Sequence, residues 1–136
     1  MRVLALDYGS ARCGCAVSDP TGTIVTPIET VLSPGTRRGL EQIEELCRER
    51  EVEQVVVGLP LSLRGTDTEQ TRQTRAFVSQ LSERLELPVE LHDERFTTRM
   101  AQRESIAHPP GASSSASEDS RAAAHMLESW LAARSG

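Results

Sequence analysis

The chain of 136 residues contains no lysine: all 15 of its basic residues are arginine, set against 20 acids, for a net charge of -5. An acidic total argues against indiscriminate coating of nucleic acid. Aromatic residues are just as scarce, with only Tyr8, Phe77, Phe96 and Trp130. That excludes a stacking platform for single strands and leaves recognition of shape or backbone; Tyr8 is the one aromatic beside a candidate site. No apolar stretch has the length to cross a bilayer, and the first residues lack the basic start and long apolar run of a secretion signal. A soluble, cytoplasmic protein is expected. The three cysteines are an odd set for a disulfide framework, which fits a reducing compartment. Cys13 and Cys15 alternate with Gly14 and Ala16 on one strand face, with no histidine near enough to complete a zinc site. They read as buried thiols, packed as small hydrophobes.

What is present reads as alternating strands and helices. Val3 to Leu6 and Cys13 to Ser18 form two strands around the turn residues Gly9 and Ser10, and Ile24 to Val31 forms a third after Asp19-Pro20-Thr21-Gly22. Short connections make these an antiparallel meander. From Thr36 to Arg50 the period becomes helical, with Leu40, Ile43, Leu46 and Cys47 on one face. QVVVGLP is a buried central strand. The next helix opens with Thr66 and Glu69 as a capping box and carries Phe77, Val78, Leu81 and Leu85 toward the core, until Pro88 stops it. VELHDERF is a short strand, TTRMAQRESI a short helix capped by Thr97 or Thr98, and Glu118 to Ala133 a final helix. Between them AHPPGASSSAS, residues 107-117, is expected to be a mobile loop inside a single domain spanning 1-136. The order β-β-β-α-β-α-β-α-α gives an α/β mixed sheet whose later strands pair in parallel through crossovers.

Three acids stand where a ligand site would form. Asp7 ends the first apolar strand and Glu94 the last one, and open α/β sheets gather ligands at the carboxyl ends of strands. Asp119 lies in the first turn of the final helix, on a stripe with Ala122, Ala123, Met126 and Trp130 that would face the sheet. A carboxylate aimed inward is costly unless a cation receives it. Oxygen-only ligands suit Mg²⁺ or Mn²⁺, which keep open positions for water and a substrate phosphate. Taken singly, each acid also has an ordinary role, as a turn residue, an ion-pair partner or a charge at a helix N-terminus. Asp93 competes with Glu94, because successive strand residues face opposite sides. Arg12 after the Asp7 turn, and Arg99 and Arg103 four apart on the helix after Glu94, would form a positive rim for flanking phosphates. Gly58, Arg64 and Gly65 follow the central strand and are placed to approach substrate or simply to turn the chain. Gly9 reads as clearance for substrate or for the hairpin.

The blocks LALDYGSARCGCAVSD, VVVGLPLSLRGT, LHDERFTT and EDSRAAAHMLESWL, in this order from Val3 to about Leu131, resemble the signature blocks of the YqgF (RuvX) family. This is a bacterial group with the RNase H-like fold, related to the Holliday junction resolvase RuvC. The resemblance implies a five-stranded mixed sheet, its first three strands antiparallel and its last two added in parallel, flanked by helices. It also implies a Mg²⁺- or Mn²⁺-dependent nuclease site on Asp7, Glu94 and Asp119, which settles the Asp93 alternative in favour of Glu94. The implied substrates are the 5′ end of precursor small-subunit ribosomal RNA and branched DNA. Resolving a four-way junction takes two symmetric incisions, so that substrate implies a homodimer. Family members often carry a basic residue just before the last aspartate, whereas no lysine or arginine occurs here from Ile106 to Ser120, and Glu118 adjoins Asp119 as a further acid.

Two other functions fit parts of the pattern. Asp-x-Gly before a hairpin also opens the phosphate-binding loop of the actin and sugar-kinase fold, but those enzymes close two such domains over a nucleotide and 136 residues accommodate one. A nucleic-acid-binding or ribosome-assembly factor with a vestigial metal site is the second alternative.

Overall fold

The structure is a computed structural model, and it describes residues 1-96 and 118-135. Its centre is a five-stranded sheet in the order β3-β2-β1-β4-β5, from β1 (Val3–Asp7), β2 (Arg12–Ser18), β3 (Val25–Leu32), β4 (Gln54–Leu59) and β5 (Val89–Asp93). The first three strands form the expected antiparallel meander, and β4 and β5 join β1 in parallel. Helices α1 (Arg37–Glu49), α2 (Glu69–Arg84) and α3 (Glu118–Ser135) complete the described elements. The expected helix over TTRMAQRESI and the loop 107-117 lie outside the described residues. Among the described residues no helix is long and apolar enough to cross a membrane.

Period-two alternation divides the sheet into two packed layers. Leu4, Leu6, Cys13, Cys15, Val55 and Val57 point one way and bury against Leu40 and Ile43 of α1 and Phe77 and Leu81 of α2. Val3, Ala5, Ala16 and Val56 point the other way and bury against Ala123, Ala124, Leu127 and Trp130 of α3. Both sulfurs of the β2 pair therefore share a face, and all three cysteines are buried and unbridged. Burial raises the Cys47 thiol to about 11.

Three boundaries differ from the sequence-based expectation. The cap of α2 is Thr68, in a reciprocal capping box with Thr71 and not Thr66 with Glu69. Thr66 is already used: its hydroxyl lies 2.7 Å from that of Ser62 and closes the turn after β4. Thr71 also donates its hydroxyl to Pro60 O, which ties the start of α2 to the end of β4. Next, β5 ends at Asp93, and Glu94 opens a 3-10 turn, Glu94–Phe96. Finally, the buried stripe of α3 runs through Ser120, Ala123, Ala124, Met126, Leu127 and Trp130, which bears out Ala123, Met126 and Trp130, but Ala122 is exposed and Asp119 sits at the margin of the helix-sheet interface. Ser120 fixes this rotation, because its hydroxyl accepts the Cys15 amide at 3.2 Å where β2 bulges.

Candidate functional site

Asp7 is the last residue of β1 and alternates with Val3 and Ala5, so its carboxyl leaves the sheet on the α3 side. Its neighbours across the sheet lack side chains. Gly14 pairs with it on β2, and Gly58 lies one step beyond the Leu6-Val57 pair on β4. Gly14 is required by the backbone that packs over it, and Gly58 gives the Glu94 side chain its room. A β-carbon at Gly14 would sit 1.9 Å from the backbone oxygen of Asp119, so the first turn of α3 can seat only on a bare backbone. A β-carbon at Gly58 would sit 2.6 Å from Glu94 Oε1. The row Gly14-Asp7-Gly58 thus admits Asp119 from one side and Glu94 from the other. Sequence reading assigned Gly58 to substrate approach or to a turn and passed over Gly14. Gly9 proves to be hairpin clearance, since a β-carbon there would meet Arg12 O at 2.8 Å.

The carboxyls of Asp7 and Glu94 hydrogen-bond to each other. Burial is the main force raising the proton affinity of both; at Asp7 the hydrogen bond with Glu94 works against it and the charge of Asp119 adds to it, while at Glu94 the charge of Asp7 and the hydrogen bond with it both add, so Glu94 is pushed up to about 8. The pair therefore holds a shared proton near neutral pH. Asp93 takes no part, because its two oxygens grip the Arg95 guanidinium, Oδ2 to Nη2 at 2.6 Å, which lowers its proton affinity.

Asp119 stands near enough to raise the proton affinity of Asp7 through its charge, yet it is bound elsewhere. Its Oδ2 lies 3.3 Å from Arg12 Nε. Among the described residues no group of three acid, histidine or cysteine side chains is gathered tightly enough to enclose a metal ion. The structure thus brings two of the three expected acids into contact and places the third beside them, on an arginine. Glu118 is exposed.

The turn from Tyr8 to Arg12, Gln70 and Gln73 of α2, and Asp119 line an open cleft of about 350 Å³ next to this group. Tyr8 is held in its wall by stacking on Phe77, ring centres 4.5 Å apart. Gln70 and Gln73 were not anticipated; their only signal was a three-residue spacing in the first turns of a helix aimed at the same end of the sheet. Arg12 lines the cleft as expected. Arg64 does not: it projects from the exposed turn Ser62-Leu63-Arg64-Gly65, which the Ser62 and Thr66 hydroxyls close and Arg95 Nη1 braces at Leu63 O, 3.4 Å away. Arg99 and Arg103 lie outside the described residues.

Comparison with known proteins places this arrangement. The family model described as "RuvX: Holliday junction resolvase" matches residues 1-133. A protein of Corynebacterium jeikeium named "Putative pre-16S rRNA nuclease" is 36% identical over 98% of this chain and 87% of its own length. One of the same name from Trichormus variabilis is 42% identical over 94% of this chain and 85% of its own. Among solved structures, T. thermophilus RuvC in complex with Holliday junction substrate superposes with a TM-score of 0.63 at 16% identity, over 100% of this chain and 96% of the other, a likeness of fold. The chain therefore belongs to the RuvX family.

Proposed function

We propose that this protein is a divalent-metal-dependent endonuclease that hydrolyses phosphodiester bonds in structured nucleic acid, with Asp7, Glu94 and Asp119 as its metal ligands. The single observation that carries this reading is the half-buried Asp7-Glu94 pair, with Glu94 seated over Gly58 and its carboxyl left to share a proton with Asp7. Two acids held together at the end of a sheet cost stability, and a hard cation is the partner that would offset that cost. The donors are all oxygen, which suits Mg²⁺ or Mn²⁺. Such an ion, when bound, supplies charge neutralisation at the phosphorus and an acidified water.

The remaining roles fall to the protein. Glu94 and Asp7 give up the proton they share when the ligand set is completed. The bare backbone of Gly14 lets the first turn of α3 carry Asp119 close to the sheet, and that of Gly58 makes room for the Glu94 side chain. Arg12, in the cleft, takes a flanking phosphate, and Gln70 and Gln73 offer neutral amides to sugar or base edges. Arg64 on its braced turn meets the backbone farther from the cut, and Arg99 and Arg103 extend the basic rim.

The family's description and the relatives' names point to two substrates, four-way DNA junctions and the precursor of 16S ribosomal RNA. On a junction the enzyme acts as a homodimer, one protomer per incised strand; on RNA a single protomer suffices. A role on ribosomal precursors would put it in the cytoplasm, a reading that three unbridged cysteines support. The test is cleavage of both substrates by the wild type and by Asp7→Asn, with the fold followed by circular dichroism. Activity should fall at least about a hundredfold in the variant, as for loss of a group that stabilises developing charge, with an unchanged spectrum. Undiminished metal-dependent cleavage by Asp7→Asn would refute the reading. Binding without cleavage by the wild type would instead favour an assembly factor with a vestigial site, a reading that the engagement of Asp119 by Arg12 supports.

A further inference from the structure

Among the described residues, Arg12 and Asp119 are the charged side chains that line the cleft, beside neutral Tyr8, Gly9, Ser10, Ala11, Gln70 and Gln73. They are 64% and 37% exposed, with Arg12 Nε 3.3 Å from Asp119 Oδ2. An ion pair this exposed is weak. A phosphodiester offers the same guanidinium two non-bridging oxygens in a plane, the bidentate match for which arginine is suited. An incoming phosphate is therefore drawn by Arg12, repelled by Asp119, and able to take the first from the second. The freed Asp119 would then stand beside the Asp7-Glu94 pair.

Resting on the reading of those three acids as metal ligands, we propose that Arg12 is a positioning residue that withholds Asp119 from the metal until a substrate phosphate displaces it. The complete ligand set forms only on the substrate-bound protein. Phosphate and cation consequently bind with positive coupling, and by linkage each strengthens the other equally. This accounts for a site in which two acids touch and the third is turned to an arginine in the free chain.

The test is a double-mutant cycle read by Mn²⁺ affinity, measured by calorimetry and by the paramagnetic signal of the free ion, on the full chain without nucleic acid. Arg12→Gln should tighten Mn²⁺ binding by up to about fivefold, the range of an exposed ion pair. Arg12→Lys should stay near the wild type, since it keeps the charge that holds Asp119. In an Asp119→Asn background the change of Arg12 to Gln should produce no gain. A gain that persists there would reflect only the removal of a positive charge and would overturn the proposal, as would no gain in the single variant. Asp7→Asn separates the two levels of inference. If it abolishes Mn²⁺ binding while Arg12→Gln changes nothing, the metal site stands and the Arg12 latch falls. If it binds Mn²⁺ as the wild type does, or if no form of the protein binds Mn²⁺, the reading of the site falls and the latch with it.

Discussion

Against α1 and α2 the sheet presents Leu4, Leu6, Val55 and Val57, branched side chains that fill the space to the helices. Against α3 it presents Val3, Ala5, Gly14, Ala16 and Val56, and α3 answers with small Ala123 and Ala124 near its start and with Met126, Leu127 and Trp130 farther along. The first layer is held together by volume, and a lost methylene there leaves a cavity. The second is filled by volume at its Trp130 end but depends on closeness at the Gly14 end, where an added methylene has nowhere to go. The acids sit at the end of the close-packed layer because only there can a helix terminus and a loop carboxyl reach the same strand end.

Substitutions on the two faces should separate stability from activity. Leu4→Ala, at a fully buried position, should have the largest effect on stability, about 2-5 kcal/mol by chemical denaturation. Cleavage per folded molecule should stay within about twofold. Gly14→Ala should lose less stability, about 1-3 kcal/mol for overpacking. Its cleavage should nevertheless fall by about a hundredfold, since the first turn of α3 must lift away and carry Asp119 with it. If Leu4→Ala proves the more damaging to activity, the contrast between the layers is wrong.

The smallest change in stability, and of opposite sign, is expected for Glu94→Gln. Glu94 has its proton affinity raised from an ordinary 4.5 to about 8 in the fold, first by burial and then by Asp7. A carboxyl raised in this way keeps its proton in the native state where the unfolded chain has released it. Its contribution is complete below about pH 4.5 and is lost as the pH rises toward 8. The wild type should therefore lose melting temperature across that window, and Glu94→Gln should lose less. At pH 8 the variant should be the more stable form, by about 1 kcal/mol, and inactive. Metal binding to the wild type should release protons and tighten as the pH approaches 8. A flat profile for the wild type would mean that the two carboxyls do not share a proton.

Much of the framework was legible because it rests on local patterns. The runs VLAL and QVVVG, the alternation of Cys13 and Cys15, and the helical spacing of Leu40, Ile43, Leu46 and Cys47 each produce the element they predict. The start of α2 was misread because Thr66 and Glu69 match a capping box by spacing, while the nearby turn consumes Thr66 by a contact that spacing does not show. The stripe expected for α3 holds at Ala123, Met126 and Trp130, all buried, and fails at Ala122, for a related reason. Ala122, Ala123 and Ala124 are equally small, so sequence cannot tell which two face the sheet; the bond from Ser120 to the Cys15 amide chooses. That choice moves Asp119 from the interface to its margin, where Arg12 can hold it.

Sequence alone therefore determined the types of the described elements and the mixed sheet, since hydrophobic period is a property of short stretches. Tertiary structure alone decided that Asp7 lies between two bare glycines, that Glu94 shares its proton and that Asp119 is held by an arginine. Those are relations among residues up to 112 positions apart along the chain, from Asp7 to Asp119, and they exist only once β1, β2, β4 and α3 have closed on one another.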